Sequence, residues 1–490
     1  MGGLLVAGTT SDAGKSVVAT GLCRALARRG VKVAPFKAQN MSNNSMVCEL
    51  DGTGVEIGRA QWVQALAAKV TPEPAMNPVL LKPGSDHRSH VVLMGAPWGE
   101  VESSDWLEGR KPLAAAAHAA FDDLAARFDV VVAEGAGSPA EINLRAGDYV
   151  NMGLARHADL PTVVVGDIDR GGVFAAFLGT VALLSPEDQA LVAGFVVNKF
   201  RGELTLLEPG LRDLERVTGR RVYGTLPWHA DVWLDSEDAL DLAGRRASAS
   251  GARRVAVIRL PRISNFTDAD ALGLEPELDV VFVSDARGLA GADLVVLPGT
   301  RATIADLAWL RSRGLDRALL EHAAAGKPLL GICGGFQMLG RVIRDPNAVE
   351  GSVPEAEGLG LLNVETTFAA EKTLRLPRGT GLGAPATGYE IHHGRVTHCG
   401  PVEEFLGGAR AGQVFGTMWH GSLEGDDLRA AFLRETLGLA GSGASFPAAR
   451  ERRLDLLGEL VEQHLDVDAV LELATSGAPA GLPTLPPGAP

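Results

Sequence analysis

The stretch Gly8-Thr9-Thr10-Ser11-Asp12-Ala13-Gly14-Lys15-Ser16 decides the reading of the amino-terminal half of the chain. It follows a short apolar run at 4–7. It opens a segment, 16–29, in which Val17, Val18, Leu22, Ala25 and Leu26 recur at helical spacing, with Gly30 as a stop. A glycine-rich loop between a buried strand and an amphipathic helix is the setting a P-loop needs. Backbone N–H groups and the helix N-terminus face the phosphates, Lys15 reaches the β/γ oxygens, and the Ser16 hydroxyl meets Mg²⁺. Five residues separate Gly8 from Gly14, one more than the common spacing. A plain glycine-rich turn with an exposed lysine accounts less well for the strand and helix on either side.

Such a site also needs an acid at a strand end. Glu134 supplies one, because it closes the apolar run 130–133 and precedes Gly135-Ala136-Gly137. Lys37 ends the run 31–35 and would face the same crevice of a doubly wound sheet. A second cation there suits a reaction that gathers two anions, a nucleotide and a carboxylate. Further buried strands are expected at 162–165 and 194–197, and such uninterrupted apolar runs read as parallel strands covered on both faces. A second set follows at 255–259, 280–283, 294–297, 329–332 and 414–418. The expected fold is therefore α/β, with two doubly wound, mostly parallel-sheet domains. We place the first at 1–235, a linker at 236–252, the second at 253–475, and a Pro/Gly/Ala-rich, disordered tail at 476–490.

The second domain carries its own motif. Gly331-Ile332-Cys333-Gly334-Gly335 lies between the strand at 329–332 and a helix starting near Phe336, a GxCxG form of the nucleophile elbow. A thiol at a helix N-terminus has its thiolate favoured by the helix dipole. Cys23, Cys48 and Cys399 read instead as ordinary buried cysteines. The thiol needs a base, and His420 in Trp419-His420-Gly421 is chosen over His392, His393 and His398. Backbone around Gly299 in Leu297-Pro298-Gly299-Thr300 is the expected oxyanion donor.

Composition narrows the function. The 490 residues are 46% hydrophobic and 22% charged, enough apolar material for more than one core. Lys plus Arg is 46 against 60 Asp plus Glu, a net charge of −14. That surplus argues against broad binding to DNA or RNA, which needs a basic footprint. The four cysteines form no CxxC pair, so neither a zinc cluster nor a disulfide framework is indicated. The N-terminus does not read as a signal peptide, and the longest apolar run, 172–186, is short of a membrane span. The expectation is a soluble protein of a reducing cytoplasm with small-molecule partners.

Together the two constellations resemble a dethiobiotin-synthetase-like, ATP-dependent amidoligase fused to a class I glutamine amidotransferase domain. The long P-loop spacing is of the first type. The resemblance narrows to the cobyric acid synthases through the blocks 36–45, 56–61, 77–83, 134–144, 167–174 and 260–268, which run in order along the chain to about residue 440. It implies glutamine- and MgATP-dependent conversion of adenosylcobyrinic acid a,c-diamide to adenosylcobyric acid, with the b, d, e and g carboxylates becoming amides. Cys333 would then be the glutaminase nucleophile and His420 its base, with Gly299, Gly334 and Gln337 around the bound glutamine. Thr9, Asp12, Gly14, Lys15 and Ser16 would hold ATP, with Asn198 and Lys199 reading the base. Lys37, Gln39, Asn40 and Ser42 would meet phosphate or acceptor, and Ser16, Glu134 and Glu56 the metal. ATP and Mg²⁺ are the implied cofactors; no tightly bound cofactor is expected, since cobalt belongs to the corrinoid substrate.

The likeness departs in places. Class I amidotransferases commonly carry His-x-Glu, whereas Gly421 and Ser422 follow His420 and the next acid is Glu424, so the third triad member stays open. Ala269 and Ala96 stand where an aromatic residue and an arginine are expected. Rival readings are an amidoligase acting on the a and c carboxylates, a ParA-like partition ATPase, and a corrinoid-binding scaffold without turnover. The partition ATPase would carry an extra lysine where this chain has Gly8-Thr9-Thr10, and it has no use for Cys333.

Overall fold

The computed structural model describes residues 2–83, 88–102, 109–232 and 251–486. The chain forms two compact units. The first comprises Met1–Met41, Glu56–Asp235 and Glu451–Pro490, and the second Ser42–Val55 and Ser236–Arg450.

In the first unit, strands β1 (Gly2–Gly8), β2 (Val33–Phe36), β3 (Val130–Glu134), β4 (Thr162–Asp167), β5 (Val192–Phe200) and β6 (Arg221–Pro227) form one sheet. The order is β6-β5-β4-β1-β3-β2 and every pairing is parallel. β1 and β3 are buried at every position, as expected of strands covered on both faces. From β1 the chain steps out to β2 in one direction and, later, through β4 to β6 in the other. The switch point therefore opens between β1 and β3, at their carboxyl ends. The helix Lys15–Arg28 turns Val18, Ala19, Leu22, Cys23, Ala25 and Leu26 into the core beside this crevice.

The second unit holds β7 (Arg253–Ile258), β8 (Leu278–Val283), β9 (Leu294–Leu297), β10 (Leu329–Ile332), β11 (Glu403–Phe405), β12 (Gly408–Ala411) and β13 (Val414–Thr417). Their order is β8-β7-β9-β10-β13-β12-β11, parallel apart from the β11–β12–β13 meander. The α/β class and all ten expected strands are present. The sequence reading missed a four-stranded sheet built from Val342–Arg344, Glu355–Glu357, Val364–Arg375 and Glu390–His398, and a second from Gln39–Met41, Val79–Pro83, Arg88–Leu93 and Ala96–Glu102. Among the described residues no helix is long and apolar enough to cross a membrane.

The linker expected at 236–252 lies outside the described residues except for its last two. Three other expectations are corrected. The segment 451–475 does not belong with the second unit: the helix Val467–Ser476 packs on β1, and the wholly buried Arg24 pairs with Glu451 at 2.7 Å. The tail is not disordered through 486. Gln189 grips the Leu485 backbone on both sides, its Nε2 donating to Leu485 O at 3.0 Å and its Oε1 accepting from Leu485 N at 2.7 Å. The guanidinium of Arg220, 1% exposed, donates to the carbonyl oxygens of Val192, Thr218, Gln189 and Pro483. Burial without a paired acid pushes its guanidinium down to about 10. Cys399 is exposed rather than buried, whereas Cys23 and Cys48 are buried.

Deleting residues 478–490 should therefore destabilise the first unit by about 3 kcal/mol, from lost charge-assisted bonding at Arg220 and re-exposure of Leu485. Hydrogen exchange in β5 and β6 against the full chain is the measurement, and unchanged protection would refute the anchoring role.

Candidate active sites

The Gly8–Ser16 loop leaves the end of β1 at the switch point. Gly14 has φ +95°, and a Cβ there would stand 2.0 Å from Asn198 Nδ2, so only glycine fits. Lys15 Nζ donates across the loop to Thr10 O (2.9 Å), Ser11 O (3.1 Å) and Gly137 O (3.1 Å). Thr9 N pairs with Val165 O at 2.9 Å, which ties the loop to β4.

Glu134, at the end of β3, is the hub. Its Oε1 accepts from Ser16 Oγ at 2.9 Å and Lys37 Nζ at 3.0 Å, and its Oε2 accepts from Gln64 Nε2 at 2.6 Å. Burial works to raise this carboxyl, but Lys37, Gln64 and Lys15 outweigh it and hold it below its usual range. Burial and the nearby Glu134 charge push the Cys23 thiol far up, which leaves it inert. Nearby, Gln39 accepts from Tyr149 (2.6 Å) and Arg110 (3.1 Å), and Asn40 donates to Gln61 at 3.2 Å. Ser42 falls in the second unit, apart from these. Asn198 donates to Ala13 O at 3.0 Å, and Lys199 reaches Asp12 O (2.9 Å) and Asp167 (2.8 Å). Both thus brace the loop from the end of β5.

The donors here suit Mg²⁺, a hard cation that keeps several waters and takes one or two protein oxygens besides phosphate. Ser16 and Glu134 supply a hydroxyl and an ionised carboxylate in direct contact. Glu56 is buried against the Lys82 ammonium. Among the described residues no group of three or more metal-ligating side chains occurs, so phosphate and water would complete the shell.

In the second unit, Cys333 follows β10 with φ +51°, ψ −109°, a left-handed conformation that a non-glycine residue adopts only under strain. Its amide continues the ladder to Thr417 O at 2.8 Å, so the sheet enforces the turn. His420 lies beyond β13, where the Cys333 sulfur acts electrostatically on its ring; the thiol itself donates to Ile391 O at 3.9 Å. Its Nδ1 donates to Asp268 Oδ2 at 2.6 Å, and the Gly421 amide donates to Asp268 Oδ1 at 2.6 Å. Tyr389 stacks on the imidazole with centroids 5.3 Å apart. Burial opposes the imidazolium, yet Asp268 and Cys333 prevail and raise His420 to about 10.

Asp268 therefore fills the third position that the sequence left open. It lay inside the quoted 260–268 block, but 152 residues before His420, and no local spacing joins the two. Glu424 is instead paired with Arg450 at 2.7 Å. The rival histidines face carbonyls, His392 that of Gly394 (2.8 Å) and His393 that of Ala369 (3.1 Å), while His398 is exposed.

Gly299 packs against the imidazole edge, since a Cβ there would stand 2.8 Å from His420 Cε1. Its carbonyl accepts from Ser264 N at 2.9 Å. Asp306 clamps the same two loops by accepting from Thr300 Oγ1 (2.5 Å) and Arg262 N (3.1 Å), and burial pushes its carboxyl up to about 6. Gly334 opens the short helix after the elbow. Gln337, 2% exposed, donates its amide N–H to Cys333 O at 3.0 Å, while its side chain accepts from Thr303 Oγ1 at 3.3 Å.

The raised His420 titration has a definite sign. The stability it lends is full below about pH 6.5 and is lost as pH rises through about 10. Asp268→Asn should shift the NMR titration of the His420 ring downward. A wild-type ring titrating near 6.5 would contradict the arrangement.

Residues 4–241 match the CobQ/CobB/MinD/ParA nucleotide binding domain family, and residues 254–428 the CobB/CobQ-like glutamine amidotransferase domain family. The chain is 81% identical to a cobyric acid synthase of Mycobacterium ulcerans (strain Agy99) and 80% identical to one of Mycolicibacterium gilvum (strain PYR-GCK), over the full length of all three. A Mycobacterium tuberculosis (strain CDC 1551 / Oshkosh) cobyric acid synthase is 81% identical, again over both whole chains. Identity of this extent, from one end to the other, shows that the chain belongs to the cobyric acid synthase family.

Proposed function

We propose that this enzyme of cobalamin biosynthesis amidates the b, d, e and g carboxylates of adenosylcobyrinic acid a,c-diamide, using glutamine and MgATP. The observation that carries the reading is the pairing, in one chain, of a Cys333–His420–Asp268 constellation with a P-loop whose Ser16 and Lys37 share one carboxylate, Glu134.

A carboxylate oxygen is a poor leaving group, so the acceptor must be activated. Its oxygen attacks the γ-phosphorus of ATP, ADP leaves, and an acyl phosphate forms. Lys15 and Lys37 offset the charge that develops during this transfer. Mg²⁺ held by Ser16 and Glu134 would add charge neutralisation at the phosphate oxygens.

Ammonia comes from the other site. The Cys333 thiol gives its proton to His420, and the thiolate attacks the glutamine side-chain carbonyl to form a thioester as the amide nitrogen leaves. His420, protonated under the pull of Asp268, gives its proton to the departing ammonia and then takes one from the water that releases glutamate. The free ammonia attacks the acyl phosphate carbon; phosphate leaves and a proton is lost to solvent. The amide is the product, and four such cycles complete the substrate.

Mass spectrometry of adenosylcobyrinic acid a,c-diamide incubated with the protein, glutamine and MgATP should show a ladder of four acid-to-amide steps. No mass change would refute this acceptor. Cys333→Ala should abolish the glutamine-dependent ladder and leave amidation by ammonium salts, whereas Glu134→Gln should cost about 100-fold or more with either nitrogen source. Loss of the ammonia-dependent reaction in Cys333→Ala would refute the division of labour.

A further inference from the structure

Two buried glutamines of the first unit are held in different ways. Gln189 is satisfied at both ends of its amide: Nε2 donates to Leu184 O and Leu485 O, each at 3.0 Å, and Oε1 accepts from Leu485 N at 2.7 Å. Gln64, on the helix Arg59–Ala67, is 1% exposed and satisfied at one end only. Its Nε2 donates to Glu134 Oε2 at 2.6 Å, while its Oε1 is buried with no hydrogen-bond donor among the described residues. Turning the amide over would set two oxygens against each other at that distance, so the carboxylate fixes the orientation. A buried acceptor left unmet is costly, and a glutamine that serves only as a strut, as Gln189 does, meets partners at both ends.

The two oxygens of Glu134 are thereby made unlike. Oε2 is capped by the Gln64 amide, whereas Oε1 faces Ser16 Oγ at 2.9 Å and Lys37 Nζ at 3.0 Å. A cation shared by Ser16 and Glu134 would find one carboxylate oxygen, not two. That suits Mg²⁺, which demands an octahedron of oxygens at about 2.0–2.1 Å and keeps several of its waters. Neighbouring oxygens of such a shell stand about 2.9 Å apart, which is the separation of Ser16 Oγ and Glu134 Oε1. It does not suit Ca²⁺, which takes about six to eight oxygens at longer distances and readily accepts both oxygens of one carboxylate. The unmet Gln64 Oε1, on the same amide, is then an acceptor for the O–H of a metal-bound water.

We infer that Gln64 is a positioning residue that sets the metal preference of this site. By occupying Glu134 Oε2 it holds the carboxylate to one-oxygen ligation, and through its own Oε1 it retains a metal-bound water, so that Mg²⁺ is taken in preference to Ca²⁺. The inference rests on the assignment of the metal to Ser16 and Glu134 made above, and every residue it uses lies in the first unit.

The test is displacement of Mn²⁺ from the full chain bound to a non-hydrolysable ATP analogue, followed by electron paramagnetic resonance, with Mg²⁺ or Ca²⁺ as competitor. In the wild type Mg²⁺ should displace Mn²⁺ at a concentration about tenfold or more below that of Ca²⁺, the worth of one hydrogen bond to a charged group. Gln64→Met keeps the length of the side chain and removes both polar atoms; its ratio should fall to about one, chiefly through tighter Ca²⁺. Gln61→Met makes the same change one turn earlier on the helix, at a residue bonded to Asn40 rather than Glu134, and should keep the wild-type ratio. A wild-type ratio of one, or a wild-type ratio in Gln64→Met, would overturn the inference and leave the metal assignment standing. So would an equal fall in Gln61→Met, because the defect would then belong to the helix. Infrared difference spectra of the wild type decide the matter if Gln64→Met does not fold. The Glu134 carboxylate, identified by its absence in Glu134→Gln, should show on Mg²⁺ binding the wide band separation of one-oxygen ligation, and a narrow, two-oxygen separation would overturn the inference. Failure of Mn²⁺ to bind the wild type with the analogue present would overturn the metal assignment and the inference together.

Discussion

A carboxylate taken out of water must be met by donors, or it will not stay ionised. Each unit of this chain is organised around one such group. Glu134 is 1% exposed and has Ser16, Lys37 and Gln64 on its two oxygens. Asp268, 5% exposed, has His420 on one oxygen and the Gly421 amide on the other. In both cases the partners are the residues that would do the chemistry. The requirement to satisfy the buried charge and the requirement to orient the reactive groups are thus one requirement.

The strain at Cys333 follows from the same logic. The elbow is held because its amide is a rung of the β10–β13 ladder and its carbonyl receives Gln337. A relaxed backbone would withdraw the sulfur from His420, so the cost of the left-handed turn is carried by the surrounding sheet and helix. The neighbouring loops are locked independently through Asp306.

Much of this was legible because the signals are local. The Gly8–Ser16 loop, the apolar runs of both parallel sheets and the Gly331–Gly335 elbow each occupy a few consecutive residues whose period or glycine content has one structural meaning. Glu134 and Lys37 could be placed because they terminate such runs. Asp268 could not: it sits in a 3-10 turn with no periodicity and meets its partner through tertiary folding alone. The two mixed four-stranded sheets were missed for a related reason. Val364–Arg375 alternates buried and exposed positions irregularly and bulges against Glu390–His398, so it carries neither a continuous apolar run nor a clean two-residue period. The carboxyl-terminal segment misled through composition: a Pro/Gly-rich stretch reads as disordered until the side chains that receive its backbone, Gln189 and Arg220, are seen.

That return of the carboxyl terminus has a consequence for how the molecule is made. The first unit opens with β1, yet the helix that packs on it, Val467–Ser476, lies beyond the whole of the second unit in the chain. The whole of the second unit is translated in between. The P-loop sheet must wait with one flank of its founding strand uncovered while more than half the chain is still to come, and its final closure is a long-range event of high contact order. The unit that appears first in the sequence is therefore the one completed last.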